Sequence, residues 1–333
     1  MGGLIRLLEF MYLGAPLHSI LRAGRTSTLE YIEHLPGVLE HMPQSNHNMQ
    51  ELTKVPKGNR PPYLVLKNAR IHLKTGIVAL NSGHFFTNRL EFQDFSSGYH
   101  YSHLRELQHS KPLILPGKFI PLALQTYYFH FLIEDLPALL LAFNANVDSA
   151  IITPPSQPKY VTETLSKLNC PILIIDDKIV EPAEVIIPDR IKGTTPEDFA
   201  KTIQLLTNRT SNLPPDKKLL LMRGNRPRGN TDIESRLLET LLPLGFEAVD
   251  PGEMKIDDQA NLFARASQIV SLHGGGLTNL IFCQKETKVF EVHSHVWRNF
   301  AYPTLAEIFG LNYKGADDLN FETRLKEWLQ KNA

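Results

Sequence analysis

Beyond Pro188 the chain repeats one pattern: a run of four to six apolar residues, a stretch with helical spacing, then another apolar run. The runs are "KLLLM", "FEAV", "QIVSL" and "KVFEV", and the spacing between them predicts helices near 197–211, 231–242 and 257–266. Apolar strands this short, without polar alternation, are buried on both faces, which demands a parallel sheet covered by helices on each side. The second half is therefore α/β. A short helix is predicted after the glycines that follow "QIVSL", and an amphipathic helix near 322–331 closes the chain.

The first half is less regular. Residues 36–62 are polar and punctuated by proline, which reads as a loop-rich lead-in. Short β-rich runs follow: "YLVLKNARIHL", "GIVAL", "GHFFTN" and "KPLILPG", with a turn at Asn81-Ser82-Gly83. Then come a long helical pattern from Tyr127 to Phe143, the run "AIIT", a helix near 158–168, and the runs "PILII" and "AEVIIP". A chain of 333 residues exceeds what one hydrophobic core usually supports. The division is placed in "PDRIKGTTPED", giving an N-terminal domain over 1–190, led by a helical and loop segment 1–62, and a C-terminal domain over 191–333.

Composition narrows the partners. Thirty-five basic residues balance thirty-five acidic ones, so there is no bulk field to attract nucleic acid. Cys170 and Cys283 have no metal-type spacing and suit a reducing compartment. In the N-terminal stretch Arg6 and Glu9 interrupt the apolar run, and Gly14 and Pro16 break it before it could span a bilayer. It reads as an amphipathic docking helix, with a peripheral membrane contact as the alternative. The expected location is cytoplasmic, at most peripheral at the inner membrane face.

The chemistry is concentrated where "QIVSL" runs into His273 and three glycines, Gly274, Gly275 and Gly276. An esterase oxyanion hole is excluded, because no serine stands in a G-x-S-x-G elbow. A dinucleotide fingerprint is incomplete, with Asn279 where its third glycine belongs. A phosphate site keeps its physical basis: glycines at the carboxyl end of a parallel strand admit a diphosphate to the main chain. Leu277, Thr278 and Asn279 would then open the next helix with N–H groups aimed at the anion. Glu291, ending "KVFEV", could take ribose hydroxyls. The competing reading is a glycine turn that serves only helix–strand packing.

A second loop at the same sheet edge carries Arg223, Arg226 and Arg228. It leads into a helix whose capping-box pair, Thr231 and Glu234, predicts a start at Asp232. Guanidinium groups there suit a diphosphate, since they offer paired, charge-assisted hydrogen bonds.

Three blocks, 127–142, 219–270 and 271–294, resemble glycosyltransferase family 61. The residues that match its pattern are Arg223, Arg228, Asn230, Gln259, Phe263, Ala266, His273, Gly274, Gly276, Thr278, Asn279 and Glu291. Gly275 stands where the family usually has alanine, Thr231 replaces an acidic residue, and the arginine–asparagine spacing is shortened. The resemblance implies a GT-B architecture of two facing Rossmann-like domains. It also implies inverting transfer from a nucleoside-diphosphate sugar, usually UDP-linked, to a hydroxyl of a glycan or surface-polysaccharide acceptor.

Inversion needs a base, which the resemblance places across the cleft in the N-terminal domain. In "YFHFLIEDLPALL", His130 and Glu134 are four apart and share a helix face. Pro137 is expected to end or kink that helix, leaving Glu134 and Asp135 at the break. A histidine on an aromatic helix, with Asp135 capping a helix that restarts at Pro137, is the plainer alternative. Which of His130, Glu134 and Asp135 is the base stays open.

No D-x-D triplet occurs, and Asp176-Asp177 reads as a hairpin turn. The histidine-rich stretch with His100, His103 and His109 has neither a cysteine nor H-E-x-x-H and reads as an acceptor-side loop. No metal and no resident cofactor are expected. Two other functions compete: a non-catalytic nucleotide-sugar or glycan-binding module, and an enzyme that modifies the nucleotide sugar itself.

Overall fold

The structure is a computed structural model that describes residues 63–67, 69–80, 85–87, 103, 106–107, 109–124, 127–188, 196–207, 214–223, 230–296 and 300–332. The segment 1–62, with its docking helix and lead-in, lies outside these residues, as do Arg226, Arg228, His100 and the turn at Asn81-Ser82-Gly83.

The first half builds a mixed sheet. Its opening strands are β1 (Tyr63–Lys67), β2 (Ala69–His72), β3 (Ile77–Leu80), β4 (Phe85–Thr87) and β5 (Leu113–Pro121). A long helix, α1, then covers 128–145 and leads to β6 (Ala150–Thr153). Helix α2 (Lys159–Leu165), β7 (Ile172–Ile174) and β8 (Ile179–Pro188) complete it. Among the described residues the order is β4-β3-β2-β8-β5-β6-β7, with β1 also paired to β8. β8 runs parallel to β5 and antiparallel to β1 and β2, so it stands at the centre. Asp176-Asp177 is therefore not a hairpin turn. It belongs to a connection that passes β6 and β5, because β7 pairs with β6 and β8 with β5.

The helix does not end at Pro137, but its α pattern is interrupted just before the proline, at Glu134 and Asp135. Tyr128–His130 is α-helical, Phe131–Asp135 forms a π turn, and Leu136–Ala145 continues as α-helix through the proline. Proline has no N–H to donate, and its ring crowds the carbonyl four residues back. The wider π turn, in which the Leu136 N–H reaches Phe131 O, absorbs that misfit.

The second half follows the alternation. After α3 (Pro196–Leu206) come β9 (Lys217–Leu221), α4 (Thr231–Leu241), β10 (Glu247–Val249), α5 (Ile256–Ala264) and β11 (Ala266–Leu272). A 3-10 helix, Gly275–Phe282, precedes β12 (Lys288–His293). Two elements that the apolar pattern does not announce follow, α6 (Ala301–Phe309) and β13 (Asn312–Asp317), and then the closing helix α7 (Phe321–Asn332). Every pairing in this sheet is parallel, in the order β10-β9-β11-β12-β13. The fold is α/β, and among the described residues no helix is long and apolar enough to cross a membrane.

Side chains alternate across the second sheet with a period of two. Leu220, Val270 and Phe290 pack with Ile233 and Leu237 of α4 and with Phe321 and Trp328 of α7. Leu219, Ile269 and Val289 face the other way, onto Phe263 of α5, Leu305 of α6 and Leu280 of the 3-10 helix. That second core does not stop at the sheet. It continues through Phe199 of α3 and Leu132 and Leu136 of α1 to Ile120, Ile151 and Ile186 of the first sheet.

Candidate functional site

The strand order gives the site its place. Numbered along the chain, the second sheet runs two-one-three-four-five, so successive connections leave β9 in opposite directions. Open α/β sheets bind ligands where such connections diverge, which here is above the carboxyl ends of β9 and β11. Arg223 lies just beyond the end of β9, and His273 and Gly274 directly follow β11.

The two loops touch. Arg223 Nη1 donates a short hydrogen bond to His273 O. Its backbone N–H donates to Oε1 of the buried Glu234 at 2.6 Å. That bond replaces the predicted capping box. The N-cap of α4 is Asn230, whose Oδ1 accepts from Ile233 N at 3.2 Å, so the helix starts at Thr231. Glu234 is thereby freed to hold the loop that carries Arg223.

Gly274 is needed for space, since its backbone is extended. A Cβ here would overlap Arg223 Nη1 and approach Cζ to 2.7 Å and Cδ to 3.0 Å. The guanidinium lies in the volume that a side chain would fill. At Gly275 a Cβ meets nothing within 4 Å, so alanine fits there; at Gly276 it would touch Pro251 at 3.4 Å, an ordinary contact.

The helix after the glycines begins earlier than predicted. Leu277 N already bonds to Gly274 O at 3.0 Å, so its amide is spent inside the turn. Gly275 and Gly276 come before that first bond, at the position where a helix start leaves N–H groups for an outside acceptor. Leu277, Thr278 and Asn279 are all fully buried. Asn279 acts as a tie: Nδ2 donates to Gln259 Oε1 at 2.9 Å and Gly276 O at 3.1 Å, and Oδ1 accepts from the Tyr128 hydroxyl at 2.7 Å. Burial raises the Tyr128 pKa, so its phenol keeps the proton it donates.

His273 is held from behind. Its Nδ1 lies 2.5 Å from Glu291 Oε1, and Glu291 is fully buried. Oε2 of Glu291 accepts from the Tyr313 hydroxyl at 2.6 Å, and His293 Nε2 lies 3.0 Å from the same hydroxyl. Both Glu291 oxygens are engaged inside the protein, where the sequence suggested a ribose contact. Burial, with the Glu291 carboxylate beside it, pushes the Tyr313 phenol up and keeps it a donor.

Helix α1 brings the N-terminal candidates to this region. Its first turn packs against the 3-10 helix. His130 Nδ1 and Glu134 Oε1 lie 3.1 Å apart, with each side chain 23% exposed, while Asp135 is buried. Rings bridge the helix to the glycine loop: Phe129 lies edge-on to His130 at 5.5 Å and to Tyr302 at 5.8 Å, and Tyr302 lies 5.1 Å from His273.

Tyr128, Tyr302, Tyr313 and His293 therefore join the region without having been singled out in the sequence. Tyr313 and Tyr302 belong to the two unannounced elements, and His293 sits within a matching block. Tyr128 stands in a stretch whose helical pattern masks it as packing. Cys170 and Cys283 are both free, and burial pushes both thiols up, away from nucleophilic character.

Two groups of ligating side chains converge among the described residues: His273, Glu291 and His293, and, on the first sheet, His72, His103 and Glu106. His109 is exposed and belongs to neither group. Burial holds the His72 pKa down to about 4, helped by His103 and opposed by Glu106; burial also lowers His103.

A family model described as Glycosyltransferase 61 matches residues 128–290. No curated protein matches the chain.

Proposed function

Residues 128–290 belong to glycosyltransferase family 61, and from that premise we propose an inverting, metal-independent transfer from a nucleoside-diphosphate sugar to a glycan hydroxyl. UDP is the proposed nucleotide, and a surface polysaccharide the proposed class of acceptor. The reading rests on one observation: a guanidinium lodged against a glycine backbone at the switch point of a parallel sheet.

In this reading the acceptor oxygen attacks the anomeric carbon from the face opposite the diphosphate. The bond from that carbon to the diphosphate oxygen breaks, and the acceptor proton passes to a base. Charge gathers on the leaving diphosphate, where Arg223 and the N–H groups of Gly275 and Gly276 would meet it. Arg228 and Asn230 belong to the same proposed donor loop. His273, positioned by Glu291, is assigned to the diphosphate side; Leu277, Thr278 and Asn279 hold the glycine turn from beneath. Glu291 orients His273 instead of binding ribose.

The proposed base is the His130–Glu134 pair. If Nδ1 of His130 carries its proton toward Glu134, Nε2 remains as the acceptor, and the carboxylate steadies the imidazolium that forms. Asp135, being buried, is the weaker candidate.

The test combines nucleotide titration with turnover. Arg223→Ala should weaken UDP binding by about 1.5–3 kcal/mol, the scale of a charge-assisted hydrogen bond. Sugar transfer should require an acceptor and persist in EDTA. Binding without any turnover would mark a binding module, and a changed sugar without acceptor would mark a nucleotide-sugar-modifying enzyme. UDP affinity unchanged in folded Arg223→Ala would remove this arginine from the site.

A further inference from the structure

The first sheet carries a cluster that the transfer reaction does not use. His72 ends β2 and is only 1% exposed. Its Nε2 lies 3.2 Å from Glu106 Oε2. His103 and Glu106 are both helical and three residues apart, so they share a face. His103 Nδ1 lies 3.9 Å from the same Glu106 oxygen, and the two imidazole rings are 4.4 Å apart. One ligand atom from each of the three residues lies within 4.8 Å of the others.

We infer that His72, His103 and Glu106 form a binding site for a divalent cation of the zinc type. Zinc–ligand bonds of about 2.0–2.2 Å place tetrahedral donors roughly 3.3–3.6 Å apart. The His72–Glu106 separation of 3.2 Å nearly meets that span, the 3.9 Å separation at His103 must close by a few tenths, and the two histidine nitrogens, within 4.8 Å of each other, must draw in to the same span. Two imidazoles and a carboxylate are a zinc ligand set that leaves the fourth position to water. Glu106 is 33% exposed, which opens that position to solvent.

An outer partner is also in place. His72 Nδ1 lies 2.8 Å from Thr75 Oγ1, and that hydroxyl can in turn donate to His72 O at 3.5 Å. Nδ1 also accepts from the Thr75 N–H at 3.3 Å, so an ion on Nε2 requires the imidazole proton to move to Nδ1, where the Thr75 hydroxyl can accept it. The ion would fasten the helical residues His103 and Glu106 to the turn between β2 and β3. A neighbouring cation competes with it: Lys178 Nζ lies 3.4 Å from Glu106 Oε1 and is 72% exposed.

Calorimetric titration of the metal-stripped protein with Zn²⁺ tests the site. One ion per chain is expected, with a zinc-dependent rise in Tm. Glu106→Gln and His103→Gln should each weaken binding by about tenfold or more, on the scale of lost metal contacts. Lys178→Ala should tighten it, an outcome that general destabilisation cannot imitate. Absence of Zn²⁺ binding, or equal affinity in Glu106→Gln, overturns the inference. So does a Lys178→Ala variant that fails to bind more tightly, or loss of binding in His293→Gln, which would put the ion beside Glu291.

Discussion

At the scale of single residues, the three glycines are unequal. Gly274 makes room for the Arg223 guanidinium, whereas the space beside Gly275 is open. Gly274→Ala should therefore displace Arg223 and lower UDP affinity about as much as Arg223→Ala, while Gly275→Ala should bind UDP as the parent does. Calorimetry on the two alanine variants checks this, and equal losses would show that the loop needs glycine for some other reason. His130 and Glu134 make the complementary case. His130→Ala or Glu134→Gln should keep UDP affinity, and at least one should lose transfer by about 10²–10⁴-fold, the range for a positioned acid or base. Normal rates in both would reduce the pair to packing.

At the scale of elements, the first turn of α1 is tied to the 3-10 helix by a hydrogen bond from the half-buried Tyr128 to the buried Asn279. Tyr128→Phe keeps the ring but leaves Asn279 Oδ1 without that donor. It should cost about 1–3 kcal/mol in urea unfolding, the usual penalty for a buried group left unsatisfied. A smaller loss would mean that water replaces the hydroxyl. The same bond marks how far the sequence could be read. The strands around Leu219, Ile269 and Val289 were legible because burial on both faces leaves a continuous apolar run. β13 was not, because an edge strand is covered on one side only, and "NYKGAD" carries little apolar signal. With β13 went Tyr313, and with Tyr313 the reason why Glu291 faces inward. The glycine and arginine loops were legible as neighbours on one sheet edge. Their contact was not, since Arg223 and His273 lie 50 residues apart and only the strand order joins them. Asp176-Asp177 misled for the same reason: adjacency in sequence does not say which strands pair.

At the scale of the whole molecule, acid should loosen the first sheet. His72 is held to about 4, below its ordinary 6.5, by burial and by His103 and Lys178, with Glu106 pulling the other way. Between those two values the unfolded chain takes a proton that the folded chain refuses. Stability therefore falls as pH drops from about 6.5 to about 4, by on the order of 3 kcal/mol, and this group adds no slope above that window. Glu106, whose pKa is lowered by its bonds to His72 and Lys178 despite partial burial, adds loss in the same direction on further acidification. Urea unfolding in chelating buffer at several pH values should show the slope, and His72→Gln should flatten it. An unchanged slope in that variant would assign the acid sensitivity elsewhere.

The central place of β8 governs the order in which the protein can assemble during synthesis. β1 has no other partner among the described strands, and β2 and β5 each keep an open edge until β8 arrives between them. The first sheet must therefore wait for residues 179–188, holding exposed edges that invite pairing with other chains. The second sheet faces no such wait, because β9 gains β10 and then β11 as each emerges. A nascent chain stalled just short of Ile179 would therefore hold the facing edges of β2 and β5 unpaired, the kind of surface that aggregates.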